Sequence, residues 1–139
     1  MKIVKAKLAD SQNIAEMNFR LIRDEGHRNP MNQAQLTRRM KGWLMGDYRA
    51  CLFQEQGKII GYCLYRHDEG FAYIRHFFIE RAYRKKGQGR KAFKLLLKDV
   101  WKGTGFLRLD VLLGNKTGIK FWKKVGFKEY SLTMERKKS

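Results

Sequence analysis

The chain opens on Ile3-Val4-Lys5-Ala6-Lys7-Leu8, where apolar and basic residues interleave, and this predicts a short strand. Asp10 or Ser11 then offers an N-cap, and Ile14, Met17 and Leu21 follow at helical spacing. That helix is expected to end at Glu25-Gly26, where Gly is a natural C-terminal residue. After Pro30, the positions of Leu36, Met40, Trp43 and Leu44 predict a second amphipathic helix that stops near Gly46. Three strands come next: Tyr48 to Gln54 and Lys58 to Arg66 flank a tight turn at Gln56-Gly57, and Phe71 to Glu80 is entered through Glu69-Gly70. A helix from Gly87 to Lys102 carries Ala92, Phe93, Leu96, Leu97 and Val100 on one face. Phe106 to Leu113 predicts a strand, Lys116 to Val125 a short helix closed by Gly126, and Phe127 to Arg136 a last strand. The order β-α-α-β-β-β-α-β-α-β joins antiparallel hairpins to one βαβ crossover. The expected class is α/β of the α+β kind, a mixed central sheet with helices on both faces.

Length and composition narrow the picture. A chain of 139 residues suits one domain, 1–139, able to bury roughly two-thirds of its unfolded surface. The 43% apolar and 13% aromatic content excludes a disordered chain despite the charge. No apolar run nears the roughly 20 residues of a membrane helix, and Met1-Lys2-Ile3-Val4-Lys5 has no stretch like a signal peptide. A cytoplasmic protein with no membrane partner is expected.

The formal net charge of +18 is unevenly placed. Residues 1 to 70 hold 12 Lys and Arg against 8 Asp and Glu, whereas residues 71 to 139 hold 19 against 5, a balance of +14. A basic half of this kind predicts a polyanion contact: nucleic acid, a phosphate-rich small molecule or an acidic protein. Lys94, Lys98 and Lys102 make one helical stripe and Lys116, Lys120, Lys123 and Lys124 another. A solvated face explains such stripes equally well.

Two cysteines make no disulfide framework. If Glu55 faces Lys58 across the hairpin, Cys51 faces Tyr62 and Cys63 faces Ala50, so the two thiols point to opposite faces and stay free and buried. No cluster of His, Cys and acids has metal-ligand spacing, and no metal is expected.

The most informative stretch is Arg84-Lys85-Lys86-Gly87-Gln88-Gly89-Arg90-Lys91-Ala92, which follows an apolar strand and opens a helix. Its two glycines let backbone approach a ligand, and free N–H groups at a helix start point at an anion. Arg81 to Lys91 holds six basic residues and no acid. Together these features predict a phosphate or pyrophosphate cradle. Gly87 to Ala92 also fits the dinucleotide pattern G-x-G-x-x-A, with Asp110 near the spacing of a ribose-binding acid. The context opposes that reading, because several residues separate Glu80 from Gly87 and only one βαβ unit is present. A Walker A loop is excluded, since no Gly-Lys-Ser/Thr occurs.

On these residues the sequence resembles the GNAT superfamily of N-acetyltransferases. Arg84-Lys85-Lys86-Gly87-Gln88-Gly89 matches its Arg/Gln-x-x-Gly-x-Gly/Ala loop. Asn115, Gly118, Phe121-Trp122 and Gly126-Phe127 match Asn-x-x-Ala-x-x-Leu-Tyr-x-x-x-Gly-Phe, and the order of elements is that of the superfamily. The resemblance implies the GNAT-type fold and acetyl-CoA as cosubstrate. Phe77, Phe78 and Ile79 would give main-chain contacts to the thioester and pantetheine arm. Arg84, Lys85, Lys86, Gly87, Gln88, Gly89 and Arg90 would wrap the pyrophosphate, and Asn115 and Phe121 would meet the pantetheine side. It implies direct acetyl transfer to an amine in a ternary complex, with the Ile79 N–H facing the oxyanion and Asp110 as candidate base. An Asp110 ion pair with Arg108 is the competing role. Trp122 stands where the superfamily has its tyrosine acid, and an indole N–H has no proton to give. Tyr83 or Tyr130 would substitute, or the thiolate leaves unaided.

Asp24, Glu25 and His27, in the joint between the first two helices, and Glu80, at a strand end, are acceptor-side candidates for receiving a cationic amine. His76 sits mid-strand as a structural residue or a base. Small amines, peptide N-termini and lysine side chains are all candidate acceptors, and the sequence is compatible with a monomer or a homodimer. The alternative function is a basic nucleic-acid- or ribosome-associated binding module that keeps the fold without catalysis.

Overall fold

In the computed structural model, which describes residues 1–139, five strands lie side by side in chain order. They are β1 (Lys2–Lys5), β2 (Tyr48–Glu55), β3 (Lys58–Asp68), β4 (Phe71–Ile79) and β5 (Phe106–Arg108). The first four pair antiparallel, and β5 joins β4 in parallel. The connections dictate this: tight turns join β2, β3 and β4, whereas α3 (Gln88–Asp99) carries the chain back across the sheet before β5.

α1 (Ser11–Glu25) and α2 (Gln33–Met45) cover one face. Ile14, Met17 and Leu21 of α1 and Leu36 and Met40 of α2 pack on Tyr62, Leu64 and Phe78 of the sheet. α3 and α4 (Lys116–Lys124) cover the other face, with Phe93, Leu96 and Trp101 against Phe53, Ile60 and Ile74 and with Trp122 at the margin. Each large side chain so buried contributes on the order of 1.5–3 kcal/mol. α2 begins in a capping box: Asn32 Oδ1 accepts from the Gln35 N–H at 2.9 Å, and Gln35 Oε1 accepts from the Asn32 N–H at 2.9 Å.

Two irregularities in the ladders decide where side chains point. The β2–β3 register shifts between Phe53 and Gln54, and Cys51 therefore faces Cys63 directly. The expected pairing of Cys51 with Tyr62 and Cys63 with Ala50 is corrected by that bulge, because one extra residue moves every later partner by one. Both thiols lie in the core on the α3 side, buried and free. The β3–β4 register shifts between Leu64 and Tyr65, where Leu64 faces His76 and Tyr65 faces Ile74, leaving Arg75 unopposed.

The last expected strand is absent, and the expected Phe106 to Leu113 strand is shortened to three residues. Phe127 still packs with Phe93 and Trp122, but residues 128–139 form no helix or strand and stay exposed. Tyr130 lies beside Arg108, with the guanidinium carbon 4.9 Å from the ring centroid, yet no backbone ladder forms there. A strand needs a partner edge for its backbone groups, and β5 ends after Arg108.

Gly61 locks the second hairpin. A Cβ there would collide with the Phe78 carbonyl and stand 3.1 Å from Ile79 Cα, both backbone atoms that have no room to retreat. Gly61→Ala is expected to lower unfolding free energy by about 1–3 kcal/mol. Urea denaturation checks this, and an unchanged midpoint would contradict the close approach.

Candidate active site

The parallel β4–β5 ladder holds only three pairs, Phe71–Phe106, Ala72–Leu107 and Tyr73–Arg108. Beyond Tyr73 the outer edge of β4 has no strand beside it. Antiparallel alternation tells which groups face that edge. Glu80 N–H donates to the Ile60 carbonyl at 2.7 Å, so Phe78 and Glu80 turn their backbone groups to β3. Phe77 and Ile79 turn theirs to the open side. Of the three residues expected to offer main-chain contacts, Phe78 is thus spent within the sheet. The Ile79 carbonyl accepts from Arg84 Nε at 2.6 Å, which leaves its N–H as the free group.

After a short turn of helix at Arg81–Tyr83, the chain enters the basic loop. Lys85 and Gly87 take positive φ, 61° and 75°. Left-handed Gly87 followed by helical Gln88 turns successive N–H groups toward one point, the geometry of an anion nest. No backbone N–H from Lys85 to Arg90 donates to a protein acceptor, and α3 has no side-chain cap. The buried Oε1 of Gln88 also lacks a partner. Gly89 brings the helix start against Phe121, since a Cβ would stand 3.2 Å from the ring. The loop therefore presents a run of backbone donors with no protein acceptor, an arrangement that suits an anion.

The loop is tied to α1 by charge. Asp24 Oδ2 accepts from Arg84 at 2.6 Å and its Oδ1 from Arg81 at 3.1 Å, while Glu80 takes a two-point bond from Arg20 at 3.0 and 2.8 Å. Burial alone would raise the Asp24 pKa, but the bonds to Arg84 and Arg81 outweigh it and hold the carboxyl below its usual range. Glu25 bonds His27 at 3.0 Å, and burial, only partly offset by His27, pushes the Glu25 pKa up. All four acceptor-side candidates are thus engaged within the protein.

Asp110 follows β5 and accepts from Tyr73 Oη at 2.7 Å. Arg108 does not pair with it; its guanidinium stacks on Phe71, 4.1 Å from the centroid, and on Tyr130. Burial, then the bond and charge of Asp110, push the Tyr73 phenol up to about 12, so it remains a donor at neutral pH. Nothing in the sequence marks Tyr73, because its approach to Asp110 depends on the parallel pairing of β4 and β5.

His76 is half-buried by exposed area, and its Nδ1 lies 3.0 Å from Tyr62 Oη. Burial first, then the charges of Arg39, Arg75 and His27, push its pKa down to about 3. The ring is neutral at physiological pH and too weak a base to hold a proton there.

Trp122 is packed by Phe77, Phe93, Phe121 and Phe127, with centroid distances of 4.9–6.0 Å, and serves as an aromatic wall. Asn115 caps α4, its Oδ1 accepting the Gly118 N–H at 3.0 Å. Phe121 stacks on Phe77 at 5.7 Å. α4 is therefore fastened to β4 by rings beside the open edge.

Comparison with known proteins agrees with the fold. The sequence profile described as the acetyltransferase (GNAT) family matches residues 15–127. No curated protein matches the chain significantly. A protein of Clostridium difficile 630, described as a possible acetyltransferase, is 19% identical with TM-score 0.81, over 99% of this chain and 97% of its own. A predicted acetyltransferase of Clostridium acetobutylicum, solved with acetyl-CoA, is 19% identical with TM-score 0.75, over 98% and 95%. The ribosomal-protein-alanine N-acetyltransferase of Brucella melitensis biovar Abortus 2308 is 16% identical with TM-score 0.72, over 98% and 99%.

A neutral His76 makes stability depend on pH in a fixed direction. Its folded pKa of about 3 lies below the unfolded value of about 6.5. The unfolded chain therefore gains the proton first, and stability present above pH 6.5 is lost as pH falls toward 3. His76→Gln is expected to flatten this decline by up to about 1.4 kcal/mol per pH unit. Urea titrations at pH 4, 5, 6 and 7 measure it; parallel slopes for variant and wild type would refute the neutral ring.

Proposed function

The chain belongs to the acetyltransferase (GNAT) family, and from that premise we propose that it moves an acetyl group from acetyl-CoA to an amine. The observation that carries this reading is the run of unbonded N–H groups from Lys85 to Arg90 at the head of α3. Such a run fits a pyrophosphate, and the surrounding Lys85, Lys86 and Arg90 add attraction for it. Beside it, Phe77 and Ile79 present the alternation of donor and acceptor that an extended amide-bearing arm pairs with, as an added strand would. Asn115 and Phe121 supply the opposite wall, and acetyl-CoA offers both the pyrophosphate and the arm. The neighbour solved with acetyl-CoA supports the same reading.

The chemistry asked of the residues is modest. The amine nitrogen attacks the thioester carbonyl carbon, negative charge gathers on the oxygen, and the carbon–sulfur bond then breaks. The Ile79 N–H is the proposed donor to that oxygen. A donor fixed in a strand pays no reorganisation cost when the charge appears. Asp110, held by Tyr73, is the proposed base that takes the amine proton directly or through water. Trp122 offers no acid, so the thiolate departs without one and takes its proton from solvent.

Acetyl-CoA and coenzyme A, each at 100 times the dissociation constant, are expected to stabilise the fold by about 2.7 kcal/mol, several degrees in Tm. NADPH is expected to give no shift. A response to NADPH alone would sink the reading. A salt-sensitive response to a short nucleic-acid duplex, with none to acetyl-CoA, would instead favour the basic binding module.

Asp110→Asn tests the base. The kcat is expected to fall about 100-fold or more, with coenzyme A affinity preserved. Unchanged turnover across neutral pH would remove Asp110 from the mechanism.

A further inference from the structure

One polar cluster on the α1–α2 face, beside the open edge of β4, has no part in the chemistry above. It owes its existence to the β4 bulge. In a regular strand Arg75 and His76 would point to opposite faces; with Arg75 unopposed, both turn to Trp43 of α2. The Arg75 guanidinium carbon lies 4.7 Å from the Trp43 ring centroid, that of Arg39 4.4 Å, and the His76 ring 5.4 Å. Two guanidinium groups are thus held by one indole, each fixed by cation–π attraction.

Neither has a carboxylate. Arg20, Arg28, Arg66, Arg81 and Arg84 all pair with acids. Arg39 bonds only Asn18 Oδ1, at 3.1 Å, and Arg75 only Tyr48 Oη, at 3.3 Å. Burial, then the charge of Arg75, holds the Arg39 pKa below that of a free guanidinium, so the two cations are close enough to repel. Behind them Asn18 is 1% exposed, and its Nδ2 has no partner; neither has the buried Nε of Arg39. Both of these buried atoms are donors, which favours an acceptor beside them, and the adjacent cations favour a negative one. Glu25 and His27 are near enough for their charges to be felt at Tyr62 and His76, but they bond one another. Asp24 and Glu80 are likewise taken by arginines. The three acids nearest the cluster, Asp24, Glu25 and Glu80, thus already have side-chain partners.

We propose that the amine acceptor carries a carboxylate or phosphate group, held by Arg39 and Arg75 with Asn18 behind them. The inference rests on the acetyl-transfer reading and names the substrate class of that same site. Tyr73 and Asp110 lie close by, since Tyr73 precedes Arg75 by two residues on β4. The anionic group and the reacting amine thus belong on neighbouring parts of one molecule.

The test compares amines that differ in the charged group, at constant ionic strength and saturating acetyl-CoA, with each rate expressed per concentration of free, unprotonated amine. Glycine against glycinamide and glutamate against glutamine form the carboxylate arm, and phosphoethanolamine against ethanolamine the phosphate arm. Calorimetry with coenzyme A comes first. In at least one pair the anionic member is expected to show a kcat/KM about tenfold higher. Arg39→Gln and Arg75→Gln are each expected to bring that ratio toward one, through KM rather than kcat, with Tm checked for each variant. No coenzyme A binding overturns the acetyl-transfer reading and this inference with it. Coenzyme A binding without an anionic preference in any pair, or a preference that both folded variants retain, overturns this inference alone. The wild-type comparison stands even if a variant fails to fold.

Discussion

Buried or ligand-facing backbone groups must be bonded to something, and one line of this molecule holds N–H groups that no protein atom accepts from. The line begins where β5 leaves β4 after Tyr73, follows the outward groups of Phe77 and the N–H of Ile79, and ends in the N–H groups of Lys85 to Arg90. A continued strand would have consumed the first part, and a side-chain cap the second. The parting of β4 from β5 therefore makes the candidate cofactor path. The rest of the fold keeps that path open: α4 is fixed to Phe77 through Phe121 and Trp122, and Arg84 is drawn onto the Ile79 carbonyl and Asp24.

Local defects in the sheet do comparable work on the acceptor side. A strand without the β4 bulge would send Arg75 and His76 to opposite faces, so that only one of them could meet Trp43. The bulge beside Phe53 sets Cys51 against Cys63 by the same count of one extra residue. That pair lies deep enough that burial pushes the Cys51 thiol up to about 11 and that of Cys63 well above its ordinary value. Thiols so disfavoured as thiolates act as small apolar side chains.

Periodicity and turn chemistry made the elements legible through α3. The loop at residues 84–89 was legible because its glycines and basic residues serve a local purpose. Bulges are not encoded in local periodicity, so the hairpin arithmetic for Cys51 failed and Arg75 could not be singled out. Tyr73, Arg39 and Asn18 become site candidates only when β4, β5, α1 and α2 meet. Phe127 to Arg136 has strand-like composition, but composition cannot supply an edge to pair with. Asp24 and Glu80 illustrate the remaining gap: the sequence marks them as acids, while their arginine partners come from other elements and are fixed only by the fold.

The distribution of the two basic residue types argues for a division of labour. Lys85 and Lys86 stand at the cofactor loop, but the acceptor side of the candidate site is held by arginines: Arg20, Arg81 and Arg84 make directional bonds and Arg39 and Arg75 stack on Trp43. The outer surfaces of α3 and α4 carry lysines instead, Lys94 and Lys98 on one and Lys116, Lys120, Lys123 and Lys124 on the other, all exposed. A planar guanidinium suits fixed geometry, whereas an ammonium on a flexible stem acts as a screened point charge. The site arginines need only a small anion to complete them, whatever the lysine faces meet. Charge surplus and site chemistry are then separable: added salt weakens any contact through the lysines far more than the bonded and stacked arginines beside β4.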